Sequence, residues 1–154
     1  MKERRLSREI VMQVLFLWEA QGLLLRLNKQ DARKLDNDEI STFLGQFLHN
    51  FYHKDKINID INFIIELISG TLESISKIDR LIAANSTKWR IERMGAIDRA
   101  ILRMACYEMA IKKELSASVI INEAVEVAKR YGSEHSPPFV NAVLDTIRSN
   151  VMKT

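Results

Sequence analysis

The strongest candidates for chemistry in this 154-residue sequence lie at its start. Lys2, Arg4, Arg5 and Arg8 precede an apolar stretch, and Arg4 and Arg8 share one helical face because they are four positions apart. A guanidinium group matches pairs of phosphate oxygens and stacks on nucleobases, so the cluster fits a nucleic-acid contact. A solvated basic tail is the other interpretation, although cations at a helix N-terminus are electrostatically unfavourable.

The other reactive side chains do not form a catalytic or metal-binding pattern. His49 and His53 are four positions apart, but a metal site needs further ligands, and the glutamate of zinc proteases does not follow the first histidine. Cys106 lies beside an apolar helical stripe, which favours a buried thiol. Asp98 and Glu108 are too far apart to face each other, and no glycine-rich phosphate loop is present. We therefore predict no metal, no cofactor and no enzymatic activity.

Apolar residues at helical spacing predict an all-α protein of about seven helices. Three helices precede the polar segment 84–89, and three or four follow it. A loop or a short turn is predicted over 23–38, and a polar break over 54–58. The predicted helical segments are about 6–21, 39–53, 61–85, 93–114, 117–131 and 136–151.

Local signals support several of these boundaries. Gly22 and Gly132 are typical of residues that end helices. Ser116 or Ser118 can cap the helix predicted over 117–131. Pro137 and Pro138 are tolerated because they fall in the first turn of the last helix.

The first helix carries two stripes. Its core face is formed by Ile10, Val11, Val14, Leu15, Leu17 and Trp18. A second stripe of Arg5, Glu9, Met12 and Phe16 lies off that face. Phe16 is therefore either the edge of the core or an exposed contact residue, and Met12 beside it is a candidate for a protein contact.

The composition is that of a globular protein, with 47% hydrophobic and 28% charged residues and a net charge of +3. One cysteine excludes an internal disulfide, and we predict a cytoplasmic protein with no membrane partner. No signal segment and no membrane-length apolar run is visible. The length suits one domain over 1–154, with helical subdomains at about 1–85 and 86–154.

Three stretches, in order along the chain, resemble the NusB family. They are "RRLSREIVMQVLFLW", "WRIERMGAIDRAILRMACYEM" and "VIINEAVEVAKRYGSEHSPPFVNAVLDTI". The resemblance implies an all-helical fold of two packed subdomains. It also implies binding to the single-stranded boxA element of ribosomal-RNA leaders, together with the ribosomal protein NusE. The family acts within the RNA polymerase antitermination complex, where it promotes read-through of terminators.

The resemblance also assigns roles to residues by position. Arg4, Arg5 and Arg8 match RNA-contacting arginines of the family, and Phe16 and Asp98 match residues near the NusE face. His135, Ser136 and Phe139 match the segment that borders the RNA path, and Phe139 is either a stacking platform or a core residue. The predicted RNA-binding residues are thus Lys2, Arg4, Arg5, Arg8, His135, Ser136 and Phe139, and the predicted partner-binding residues are Met12, Phe16 and Asp98.

The sequence departs from the family pattern at three of these positions or their neighbours. Phe16 replaces a tyrosine, His135 stands where relatives carry an acid, and Ala142 replaces a glycine. Two other functions fit the sequence. One is a protein-interaction module that binds no RNA. The other is the NusB-like domain of a ribosomal-RNA methyltransferase, which is disfavoured because the chain ends at Thr154 without a glycine-rich cofactor loop.

Overall fold

The structure, a computed structural model, describes residues 2–22, 37–52 and 57–151. Within these ranges every regular element is helical, which confirms the all-α prediction. None of the described helices is long and apolar enough to cross a membrane. The α-helices are α1 (Lys2–Ala20), α2 (Asn37–Phe51), α3 (Ile61–Glu73), α4 (Ile75–Ala84), α5 (Ala96–Tyr107), α6 (Ala117–Tyr131) and α7 (Ser136–Val151), with a 3-10 turn at Ile91–Arg93 and a π-helical turn at Glu108–Lys112.

The chain divides into two compact units at the turn between α3 and α4. The sequence predicts one helix over 61–85, which is wrong because two helices cover this range. It also predicts a subdomain boundary near residue 85, whereas the two units divide between Glu73 and Ser74. The backbone leaves the helical region at Ser74 (φ −104°, ψ 13°), so two shorter helices replace the long one. The apolar spacing continues through this turn, from Ile68 and Leu72 to Ile75 and Ile78, and gives no sign of the break.

In the first unit, α1 and α2 both pack against α3. The predicted core face of α1 is buried except for Leu17, which is half-buried. The chain turns after α1 at Gly22, as predicted. Its φ of +73° is left-handed, and its N–H donates to the Glu19 carbonyl at 2.9 Å. The helix begins at Lys2 rather than near Leu6, so the basic residues lie within its first turns.

In the second unit, α5 packs against α4, α6 and α7, and α6 packs against α7. Ser116 caps α6, because its hydroxyl accepts the Val119 N–H at 3.3 Å. The last helix begins at Ser136 as predicted. A partly buried ion pair joins α4 to α5, in which the Arg103 guanidinium donates to both carboxylate oxygens of Asp79 at 2.9 and 3.0 Å.

The predicted loop over 23–38 and the predicted break over 54–58 lie largely outside the described residues, and His53 lies wholly outside them. The same holds for the side chain of Lys2, although its backbone belongs to α1.

Candidate nucleic-acid interface

Two arginines at the start of α1 lie against one aromatic ring of α3. The Arg4 guanidinium carbon is 4.4 Å from the centroid of the Phe63 ring, and that of Arg8 is 5.2 Å from it. Both distances are within the range of a cation–π interaction. The sequence places Arg4 and Arg8 one helical turn apart, and the ring of a distant residue joins them.

The position of Phe63 is set by the start of α3. Its N–H donates to Asp60 Oδ1 at 3.1 Å, which is the hydrogen bond of an N-cap. The Asp60 N–H in turn donates to Ser7 Oγ at 3.3 Å, and Ser7 is fully buried. Ser7 lies between the two arginines on α1, so the same short segment supplies the cations and the anchor for the ring.

The prediction of an exposed arginine cluster is wrong at Arg8, whose exposure is only 2%. Arg8 precedes Val11 by three residues and Leu15 by seven, and this helical spacing places it on the core face of α1. Arg5 is exposed and Arg4 is half-buried. The described part of the basic surface therefore consists of Arg5 and the outer edge of Arg4.

The prediction that Met12 lies off the core, available to a partner, is also wrong, since its exposure is 1%. Every residue from Ser7 to Met12 is buried. Six consecutive residues cover the whole circumference of an α-helix, which turns every 3.6 residues. Between Ser7 and Met12, therefore, no side of α1 faces solvent. Within the second stripe, only Arg5 is exposed and Phe16 is partly exposed.

The second unit contains a cavity of about 390 Å³, lined by Trp89, Arg93, Met94, Gly95, Asp98, His135 and Phe139. It brings together three predicted site residues, namely Asp98, His135 and Phe139. Trp89, which is 55% exposed, and Arg93 were missed by the sequence reasoning. A large aromatic residue within a polar break was the available signal for Trp89. Aromatic walls with charged groups at the rim suit a flat ligand that has a polar edge.

One wall of this cavity is held by an arginine of α5. Arg99 donates from Nη1 to the carbonyls of Ile91 and Met94, at 3.0 and 2.7 Å. These two bonds fix the 3-10 turn and the residues that follow it. Asp98 lies in the first turn of α5, where the helix dipole favours a negative charge.

Another part of the lining is held by the turn before α7. Ser136 Oγ accepts the Ser133 N–H at 3.0 Å, and the Ser136 N–H donates to the Ser133 carbonyl at 3.1 Å. The predicted RNA contact of Ser136 is therefore wrong, because its side chain is buried and serves the turn. His135 is exposed, and its Nε2 lies 3.3 Å from Glu134 Oε1. Phe139 is half-buried.

Gly132 is required by the same turn. A Cβ added at this position would lie 2.9 Å from the Ala128 carbonyl oxygen and still closer to Ser136 Oγ. The hydroxyl of Ser136 occupies the space that any other side chain would need, so the glycine allows α6 to meet the turn.

Cys106 and His49 are placed as the sequence predicts. Cys106 is fully buried. Burial, together with a smaller contribution from the charge of Asp79, raises the pKa of its thiol to about 12, and the charge of Lys77 opposes this shift. A thiol in this state is not a nucleophile near neutral pH. His49 is exposed, and no group of three or more possible metal ligands occurs among the described residues.

Comparison with known proteins extends over almost the whole chain. A sequence model of the NusB family matches residues 5–149. The transcription antitermination protein NusB of Solibacter usitatus is 36% identical over 148 residues, which cover 96% of this chain and 90% of the relative. The NusB of Bacillus subtilis is 32% identical over 149 residues and covers 97% of both chains.

Solved structures give the same result for the fold. NusB of T. maritima superposes with a TM-score of 0.70 at 33% identity, over 96% of this chain and 91% of the other. A complex of the antitermination factors NusB and NusE with double-stranded RNA contains a chain of the same fold, with a TM-score of 0.72 at 22% identity. It covers 97% of this chain and 98% of the other. By its sequence and its fold this chain belongs to the NusB family, whose named relatives are transcription antitermination proteins.

Proposed function

We propose that this protein is an RNA-binding antitermination factor. In this role it binds single-stranded boxA-type leader RNA together with the ribosomal protein NusE, and it promotes read-through of ribosomal-RNA operons. It would act in the cytoplasm within the RNA polymerase antitermination complex. The observation that carries the proposal is the arginine surface at the start of α1, where Arg5 is exposed and Arg4 lies on Phe63, in a chain that belongs to the NusB family.

Arg4 and Arg5 suit phosphate groups for a physical reason. A guanidinium group presents several N–H donors in one plane and matches two phosphate oxygens at once. Arg8 does not take part directly because it is buried. In the second unit, the cavity beside Trp89 and Phe139 supports the proposal, since unstacked bases bind on aromatic side chains.

Phe16 and Asp98 are the proposed contacts with NusE. Phe16 is half-buried, which leaves part of its ring available to a partner. Asp98 is half-exposed at the rim of its cavity, and a carboxylate there suits a basic ribosomal protein. A solved NusB complex of this fold contains NusE and RNA, and the proposal extends these two partners to the present chain.

The test is a titration of boxA-type single-stranded RNA with the protein, with and without NusE, at several salt concentrations. We expect NusE to raise the affinity and added salt to lower it. The double variant Arg4→Ala, Arg5→Ala should reduce the log–log salt slope by about 0.7 for each phosphate group that the protein no longer neutralises. A protein that captures NusE but leaves the RNA unbound would instead be an interaction module without RNA binding.

A further inference from the structure

We infer that Phe63 is a positioning residue for RNA binding, which holds the Arg4 guanidinium in the orientation that meets a phosphate group. The inference rests on the proposed function and adds a residue that lies far from the basic segment in the sequence. Its basis is the geometry of one ring and two arginines. The Phe63 ring centroid is 4.4 Å from the guanidinium carbon of Arg4 and 5.2 Å from that of Arg8.

The two arginines have different surroundings and therefore different roles. Arg8 is 2% exposed, so it cannot reach a ligand in solvent, whereas Arg4 is half-exposed. Only Arg4 is at once in contact with the ring and accessible to RNA. Arg8 is a second, buried contact of the same ring and supports it from within the core.

Contact with the ring prepares Arg4 for binding. An arginine in solvent loses rotamer freedom when it binds a phosphate group, and this loss weakens the complex. Arg4 is already restricted by the ring in the free protein. The aromatic face attracts the cation, while the N–H donors at the edge of the guanidinium plane stay available for phosphate oxygens.

The backbone that carries the ring is held by two linked hydrogen bonds. Asp60 caps α3, because its Oδ1 accepts the Phe63 N–H at 3.1 Å. The Asp60 N–H in turn donates to Ser7 Oγ of α1 at 3.3 Å. Phe63 is only 4% exposed. A change at Phe63 would thus alter both the core and the support of Arg4, and the experiment must separate these two effects.

Phe47 provides the matched control. It is a phenylalanine of the same unit with 5% exposure, and its ring contacts the rings of Phe51 and Tyr52. We expect Phe63→Leu and Phe47→Leu to lower the urea midpoint of unfolding by similar amounts. Only Phe63→Leu should weaken the binding of boxA-type RNA in the presence of NusE, by roughly two- to fivefold, the size of a partly exposed cation–π interaction.

A double-mutant cycle gives the decisive result. If Phe63 acts through Arg4, the change Phe63→Leu has no further effect on RNA affinity in an Arg4→Ala protein. An equal loss with and without Arg4, or an equal loss in Phe47→Leu, would overturn the inference and leave Phe63 as a core residue. Failure of the wild-type protein to bind the RNA would instead refute the proposed function, and the role of Phe63 with it.

Arg4→Lys decides the matter if Phe63→Leu does not fold. Lysine keeps the charge but lacks the planar group that lies on the ring, and position 4 is half-exposed, so the fold tolerates the change. We expect a loss of RNA affinity similar in size to that expected for Phe63→Leu. Wild-type affinity in Arg4→Lys would show that charge alone suffices and would overturn the inference.

Discussion

Replacement of Arg8 by alanine should destabilise the protein, while the same change at Arg5 should not. Both residues lie in the first turns of α1, and alanine favours the helix at both positions, so helix propensity does not separate them. Burial distinguishes the two residues, since Arg8 is only 2% exposed whereas Arg5 lies at the surface. The pair therefore tests whether the basic segment contains a structural arginine.

The expected loss of stability at Arg8 follows from its surroundings. Truncation to alanine removes two buried methylene groups, at about 0.8 kcal/mol each. It also removes a desolvated interaction with the Phe63 ring, which is worth about 2 kcal/mol. Release of the guanidinium from a buried site offsets part of this sum. We expect a net loss of about 2–3 kcal/mol, against a change within about 0.5 kcal/mol for Arg5→Ala.

Urea unfolding followed by circular dichroism measures both variants, and Arg8→Met serves as an uncharged control. Methionine restores part of the packing without the charge, so its midpoint should lie between those of Arg8→Ala and the wild type. The salt slope of RNA binding should fall for Arg5→Ala and stay unchanged for folded Arg8→Ala. Equal midpoints for Arg5→Ala and Arg8→Ala would refute the burial of Arg8.

Three further changes test other parts of the structure. Phe16→Ala should weaken capture of NusE in a pull-down and lower stability by less than the roughly 3–5 kcal/mol of a fully buried phenylalanine; a collapsed melt would assign Phe16 to the core. The pKa of the Cys106 thiol is 9.0 in the unfolded chain and about 12 in the folded protein, so the free energy of unfolding should fall as the pH rises between these values. Unfolding measured at several pH values should show this fall in the wild type, and Cys106→Ala should lack it. Gly132→Ala should lower the free energy of unfolding by about 1–3 kcal/mol because its methyl group meets Ser136 and Ala128. Adding Ser136→Ala to this variant should recover part of the loss. An unchanged midpoint in Gly132→Ala would mean that the turn has room for a side chain.

Features with a local cause were predictable from the sequence. Gly22 follows α1 because a left-handed residue suits glycine, and Ser116 caps α6 through its own hydroxyl. The buried face of α1 followed from the spacing of its apolar residues. In each case the residues that carry the signal lie within a few positions of the feature.

Features that depend on distant contacts were not predictable in this way. A charged residue is expected at the surface, and the burial of Arg8 depends on Phe63 in another helix. The break at Ser74 leaves the apolar spacing intact, so it has no sign in the sequence. The cavity of the second unit joins the segments around Trp89, Asp98 and Phe139, which are separate in the sequence and adjacent only in the fold.

The packing order of the helices has a consequence for folding kinetics. In the second unit each helix packs against the next one along the chain, and such short-range contacts form quickly. In the first unit α1 packs against α3, so the chain between Ala20 and Ile61 must close as a loop before the two helices meet. We therefore expect refolding in two phases, in which the second unit acquires its structure first and α1 is the last helix to be protected from hydrogen exchange.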